Sequence, residues 1–358
     1  MRRKQSRLGV RRLFILGAGA SYSASRRPRP STAQEAPLDK DFCKRILALD
    51  VMRPGWVNEA RRRTAANWRH HQPMENSGLE EAVIRQLTHL EFIDAIHPRR
   101  RAGIKQQDWM TDVAHLICYV LDRTRENGDI YRHFVSKVYP PADPADSYRD
   151  RIVTFNYDCL LDKHLLNRFT PNRIYFDTIL SDKNQSTRRP ELHSDPLLIK
   201  LHGSVNWRCD LTEFSSILTD GGAGDDSPHY IERIWTSSGV PSPDDEDYPL
   251  LIPPLPKKPI TRISLFRYLW TRAYEYMHEA EELVIAGYSL PEADQLAQSL
   301  FGNFGNRELK EVSIIDPNPS IIGRWQQLLR RRNVGSARWT YYDDFGEFVI
   351  RMDSPPPI

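Results

Sequence analysis

No stretch of this chain approaches the roughly 20 consecutive apolar residues that a membrane-spanning helix needs, so no membrane role is expected of its 358 residues. Cysteine is scarce. The four cysteines, Cys43, Cys118, Cys159 and Cys209, stand far apart, and none pairs with another at the close spacing of a zinc site or suggests a secreted disulfide framework. Charge of one sign is also lacking: a net charge of +3 is too small to imply a nucleic-acid partner. Nor is there a complete G-x-G-x-x-G fingerprint, because Tyr22 stands where its third glycine would be. No internal repeat is apparent.

What remains is a soluble globular composition, 40% hydrophobic and 27% charged, long enough to bury a full core. Basic residues cluster at Arg2, Arg3, Lys4, Arg7, Arg11 and Arg12, at Arg61 to Arg63 and at Arg99 to Arg101. The first apolar run follows the basic segment 1–12 at once, which leaves no room for a removable leader and makes a cytoplasmic protein the expectation. That run, Leu13-Phe-Ile-Leu16, reads as a buried strand and leads into Gly17-Ala-Gly-Ala-Ser21. Glycines there allow a tight turn and a close approach of ligand to backbone. A helix starting near Ala20-Ser21 would add an anion site at its mouth. A plain strand-to-helix turn is the competing reading of this segment alone. Beyond it, the proline-rich stretch Ser25 to Thr32 reads as a loop that could close over a ligand or block the pocket.

Residues from about Asp39 to Tyr139 carry helical periodicity, clearest at Leu79, Val83, Leu87 and Leu90 and again from Trp109 to Leu121. They predict a helical insertion, about 39–140, between the first two strands. Further apolar runs follow, alternating with helical segments: Arg151 to Asp158, Pro196 to Gly203, Leu250 to Pro254, Leu283 to Leu290, Val312 to Asp316 and Arg338 to Asp343. This alternation predicts an α/β fold with a parallel sheet covered by helices on both faces. An irregular acidic insertion is expected at about 210–248.

In such a sheet, ligands collect beyond the carboxyl ends of the strands. The polar strand ends Gly17 to Ser21, Asn156 to Asp158, His202-Gly203, Gly287 to Ser289 and Asp316 should therefore share one crevice. Each has a plain alternative when taken singly: Asn156 could satisfy loop backbone, His202 could cap a strand, and Asp316-Pro-Asn-Pro could be only a turn. Together on one edge they favour a nucleotide site.

The ordered set Gly17-Ala-Gly-Ala-Ser21, Thr154-Phe-Asn-Tyr-Asp158, Leu201-His-Gly-Ser204, Gly287-Tyr-Ser-Leu-Pro-Glu-Ala-Asp294 and Ile314-Ile-Asp-Pro-Asn-Pro319 resembles the Sir2-like (sirtuin-related) family. The likeness is greatest to its bacterial branch, whose members destroy NAD+. The resemblance implies a Rossmann-like domain spanning about 13–350, with NAD+ as substrate and no metal. It assigns an orienting role to Asn156 and the role of base to His202. Gly17, Ala18, Gly19 and Ser21 would meet phosphate or ribose, and Asp158 would touch the nicotinamide side or lie behind it. Gly287 and Ser289 would admit the adenosine half, and Asp316 would hold ribose hydroxyls. Deacylases of the family carry a four-cysteine zinc ribbon, which these isolated cysteines cannot build. Water then becomes the acceptor, and hydrolysis of NAD+ to nicotinamide and ADP-ribose is the expected activity. By the same resemblance the chain would be the effector of a bacterial anti-phage system. It would be controlled by self-assembly, or by a separate protein of ATPase-helicase or Argonaute type, with no direct nucleic-acid binding. A non-catalytic NAD+ or ADP-ribose sensor, and a deacylase or ADP-ribosyl transferase, are the alternatives.

Overall fold

The computed structural model describes residues 9–26, 34–49, 55–68, 78–96, 106–140, 148–175, 195–210, 233–234, 247–254, 258, 260, 263–291, 294–303, 305–306, 309–330, 334 and 336–352. Of the loop expected at Ser25 to Thr32, Ser25 ends a helix and residues 27–32 lie outside the described residues, as do the cluster Arg99 to Arg101, most of the basic segment 1–12 and most of the acidic insertion 210–248.

Strand β1 (Arg12–Leu16) is one of the two central strands of the main sheet. Successive side chains of a strand point to opposite faces, yet Leu13, Phe14, Ile15 and Leu16 are all buried, so both faces of the sheet are covered. It pairs in parallel with β2 (Arg151–Thr154), matching Leu13 to Arg151 and Leu16 to Thr154. On its other side it pairs with β7 (Glu282–Ala286), again in parallel. Outward from these lie β3 (Leu198–Lys200), β8 (Glu311–Ile315) and β9 (Arg338–Tyr342), giving the order β3-β2-β1-β7-β8-β9 with every pair parallel. The α/β class and the parallel sheet expected from the alternating runs are what the chain forms. Counted within this sheet the order is 3-2-1-4-5-6, and its direction of winding reverses between β1 and β7. Open sheets of this type bind ligands at that reversal.

Two of the N-terminal arginines have a structural task. Arg11 and Arg12 both reach Asp150, at 2.9 and 2.6 Å, strapping the start of β1 to the residue before β2.

Between β1 and β2 run α1 (Ala18–Ser25), α2 (Asp39–Leu47), α3 (Gly55–Trp68), α4 (Leu79–Ile96), α5 (Gln106–Leu121) and α6 (Ile130–Val138). Helices α2 to α5 pack on one another, and α5 also reaches a small second sheet. That sheet is antiparallel, in the order β5-β4-β6, and consists of β4 (Gly203–Asp210), β5 (Arg233–Ile234) and β6 (Asp247–Leu251). The apolar run Pro196 to Gly203 predicts a single strand that continues to Gly203. Instead the main-sheet strand stops at Lys200 and the chain turns at Leu201-His202 into β4. The remaining helices are α7 (Leu160–Leu166), α8 (Pro171–Ile174), α9 (Ser264–Glu279), α10 (Gln295–Gly302), α11 (Ile321–Arg330) and α12 (Phe345–Arg351). Phe134 of α6 sits edge-on to Phe14 of β1 with centroids 5.0 Å apart, and Phe345 of α12 joins the cluster.

Candidate active site

At the reversal point the turn after β1 and the turn after β7 interlock. Gly17 caps α1, which begins at Ala18, earlier than the Ala20-Ser21 start expected from the sequence. The Gly17 amide donates to the Ala286 carbonyl and the Gly19 amide to the Gly287 carbonyl, both at 2.9 Å. Gly19 therefore packs α1 against the opposite loop, its amide taken up by the Gly287 carbonyl. Gly287 has φ +60°, and a β-carbon on it would meet the Ala20 nitrogen at 2.2 Å. A β-carbon on Gly17 would meet the Gly287 oxygen at 2.4 Å. Backbone touches backbone here, so side chains are excluded. The Gly287 amide donates to the Ile315 carbonyl at 2.8 Å, which ties the end of β8, and with it Asp316, to the same edge.

The segment after β2 lies against this turn. Thr154 Oγ1 donates to the Leu16 carbonyl at 2.9 Å and accepts the Asn156 amide at 3.1 Å. Asn156 Nδ2 then donates to the Gly17 carbonyl at 2.8 Å and to Ser21 Oγ at 3.0 Å. A carbonyl only accepts, so the nitrogen side of this carboxamide must face Gly17. Asn156 Oδ1 consequently points the opposite way, as an acceptor. Ser21 is 1% exposed, and its hydroxyl also meets Tyr131 OH of α6 at 2.9 Å. Ser21 thus stands behind Asn156 and holds it.

Asp158 is likewise internal. Its Oδ1 accepts the Leu160 amide at 3.0 Å, at the start of α7. Burial pushes its carboxyl up, while the nearby Lys200 ammonium opposes that. Lys200, 1% exposed, donates to Asp162 Oδ2 at 3.0 Å and to the Asp158 carbonyl. This buried cation fixes the backbone two residues after Asn156.

His202 arrives from the turn between β3 and β4. The Leu201 amide donates to the Thr154 carbonyl, and the Ile252 amide to the His202 carbonyl, at 3.0 and 2.8 Å. Gly203 has φ +82°, and a β-carbon there would strike the Leu250 oxygen at 2.2 Å, so the reversal after His202 requires glycine. The imidazole stands edge-on to Phe155 at 5.3 Å, and Phe155 stacks on Tyr288 at 4.1 Å. These rings bring the ends of β2, β3 and β7 together. His202 Nε2 has no hydrogen-bond partner and no exposed surface; it lies 3.4 Å from Asp294 Oδ2. Burial lowers the imidazole pKa, and the Lys258 ammonium lowers it further, against the opposing pull of Asp294. The ring is therefore neutral near pH 7 and can accept a proton.

Asp294 was part of the matching Gly287–Asp294 stretch but was given no role. It caps α10 by accepting the Ala297 amide at 3.2 Å and pairs with Lys258 Nζ at 2.8 Å. Its signal in the sequence was an Asp just ahead of an apolar helix. Lys258, set among prolines, and Tyr131, which reads as core, carried no such signal. Asp316 is part-exposed; its Oδ1 accepts the Asn318 amide at 2.8 Å, and burial pushes its carboxyl up. Ser289 is exposed at the rim and Ala18 opens α1. Among the described residues no three His, Cys, Asp or Glu side chains are grouped to hold a metal. The buried Cys43 and Cys118 thiols are pushed up to about 12 by burial.

No family model and no curated protein sequence matches the chain. Among solved structures it is similar to a sirtuin studied for the structural basis of sirtuin substrate affinity. The identity is 11% over 98% of this chain and 95% of that one, with a TM-score of 0.38. It is also similar to Sir2 in complex with an inhibitor, 2'-O-acetyl-ADP-ribose and a deacetylated peptide. There the identity is 12% over 73% of this chain and 81% of that one, with a TM-score of 0.31. At these values the likeness carries no weight for the site, which rests on the strand order and contacts above.

Proposed function

We propose that this chain is a Sir2-like NAD+ hydrolase that releases nicotinamide and ADP-ribose. The observation that carries this reading is the fixed carboxamide of Asn156. Its nitrogen is taken up by Gly17 and Ser21, so its oxygen is the acceptor left to orient water or a ribose hydroxyl at the switch point of the sheet. In hydrolysis the bond between C1' of the ribose and the nicotinamide nitrogen breaks, and nicotinamide leaves neutral with the electron pair. Water oxygen bonds to C1', and the surplus proton passes to a base. Neutral His202 serves as that base, directly or through a ribose hydroxyl. Fixing the acceptor before substrate binds lowers the entropic part of the barrier.

Water as acceptor, in place of an acyl-lysine held beside a zinc ribbon, rests on the wide spacing of the four cysteines in the sequence. The role in anti-phage defence, a cytoplasmic site of action, and activation by self-assembly or by an ATPase-helicase or Argonaute-type protein all rest on the sequence resemblance. The test is nicotinamide release from NAD+ by the protein alone and with its neighbouring gene products. Release that Asn156→Ala and His202→Ala abolish, while both variants still bind NAD+, supports hydrolysis. Release that requires an acylated peptide would replace this reading with deacylation.

A further inference from the structure

We infer that Asp294 is the positioning residue of His202: it keeps the imidazole proton on Nε2 and so makes Nδ1 the atom that accepts a proton in the reaction. This rests on the reading of His202 as base. The geometry is a buried chain of groups. Asp294 Oδ2 lies 3.4 Å from Nε2, and Asp294 Oδ1 lies 2.8 Å from Lys258 Nζ. The Asp294 side chain is 4% exposed and that of Lys258 3%. A carboxylate facing a ring nitrogen favours an N–H there and repels a lone pair, so the neutral ring takes the Nε2–H tautomer. Nε2 has no exposed surface, whereas the His202 side chain as a whole is 10% exposed. A ligand therefore cannot reach the ring through Nε2, which leaves Nδ1 as the nitrogen free to take a proton. Both ring constraints agree.

Three features keep Asp294 anionic. Burial alone would raise its pKa, but the contacts with His202 and Lys258 outweigh it and pull the carboxyl well below its usual range. As the cap of α10 it also faces the positive end of a helix. Tyr288 OH stands 3.5 Å from Oδ2. The charged and titratable groups that bear on the pair are Lys258, Tyr157 after β2, Tyr288 after β7 and Glu80 from α4, with Asp39 of α2 acting on Glu80 and Tyr157.

The direct test is long-range ¹H–¹⁵N NMR of the imidazole nitrogens in the intact protein, with His202 identified among the eleven histidines by the signal absent from His202→Gln. We expect the Nε2–H tautomer with a midpoint below 6.5. Lys258→Met should raise that midpoint, and Asp294→Asn should lower it and mix the two tautomers. Paired with this is the pH dependence of nicotinamide release. Asp294→Asn should shift the acid limb to lower pH and reduce kcat about 10²-fold, with KM little changed. An Nδ1–H tautomer in the unaltered protein overturns the inference whether or not any variant folds, and so does an Asp294→Asn spectrum identical to it. Activity persisting in His202→Gln would instead overturn the reading of His202 as base while leaving the tautomer assignment standing, so the two failures are distinguishable.

Discussion

The decisive residue is Asn156, because two acceptors fix which way its amide faces. Asn156→Asp is nearly isosteric but would set a carboxylate oxygen against the Gly17 carbonyl. We expect it to lose nicotinamide release and to cost roughly 1–3 kcal/mol of stability, read from a denaturant midpoint. Tyr131→Phe removes one hydrogen bond from Ser21, which in turn holds Asn156. It should cost about 1 kcal/mol and lower kcat while leaving NAD+ affinity unchanged in a calorimetric titration. For His202 the sign runs one way: burial depresses its folded pKa, so the neutral ring is present above that value. Stability should begin to fall as pH drops below about 6.5, where the unfolded imidazole takes up a proton. Activity should fall at lower pH, through the depressed folded value. The first is visible in the melting temperature and the second as an acid limb in the rate profile. At this scale the sequence was partly legible. Polar residues at strand ends stand out against apolar runs, so Asn156 and His202 could be picked. Which atoms face a ligand depends on partners far along the chain, and Ser21 and Asp158 turn inward for that reason.

At the scale of elements, the interlocked turns after β1 and β7 carry the architecture of the crevice. Gly287→Ala would meet two penalties, a positive φ and a β-carbon 2.2 Å from the Ala20 nitrogen. Strain of about 1–3 kcal/mol and overpacking of about 1–3 kcal/mol should together unfold much of the protein. Gly128, at φ +81° with nothing within 4 Å, serves as the control. Gly128→Ala should cost only the backbone term, about 1 kcal/mol, and leave activity intact. Equilibrium unfolding of the two variants separates packing from backbone strain. The parallel sheet was legible because its strands are continuous apolar runs buried on both faces. Strand β4 was not, because Ser204, Asn206 and Arg208 are buried polar residues that read as irregular chain. The partners of Ser204 and Asn206, the Tyr157 carbonyl and the Tyr175 hydroxyl, lie on other segments.

At the scale of the whole molecule, the helices between β1 and β2 reach the candidate site through Glu80. Asp39 of α2 accepts the Glu80 amide at 3.1 Å, which anchors the start of α4. Burial pushes the Glu80 carboxyl up to about 7, with Lys258 opposing and Asp294 and Asp39 adding to the rise. A carboxyl whose folded pKa is raised stabilises the fold below its ordinary value and loses that contribution as pH climbs through the raised one. Glu80→Gln should therefore raise the melting temperature at pH 8 more than at pH 5. An equal shift at both would place Glu80 in solvent. No periodicity or motif could have joined α4 to His202, since the link passes through Lys258, a residue in a proline-rich segment far along the chain.

The central claim is that the crevice holds NAD+ and gives its ribose to water. Incubation with NAD+ in ¹⁸O-labelled water, followed by mass spectrometry of the products, tests it most directly. We predict one ¹⁸O at C1' of ADP-ribose, one nicotinamide released per NAD+ consumed, and neither product from Asn156→Ala. Tight NAD+ binding without nicotinamide release in any assembly state, or ADP-ribose free of label, would contradict the account.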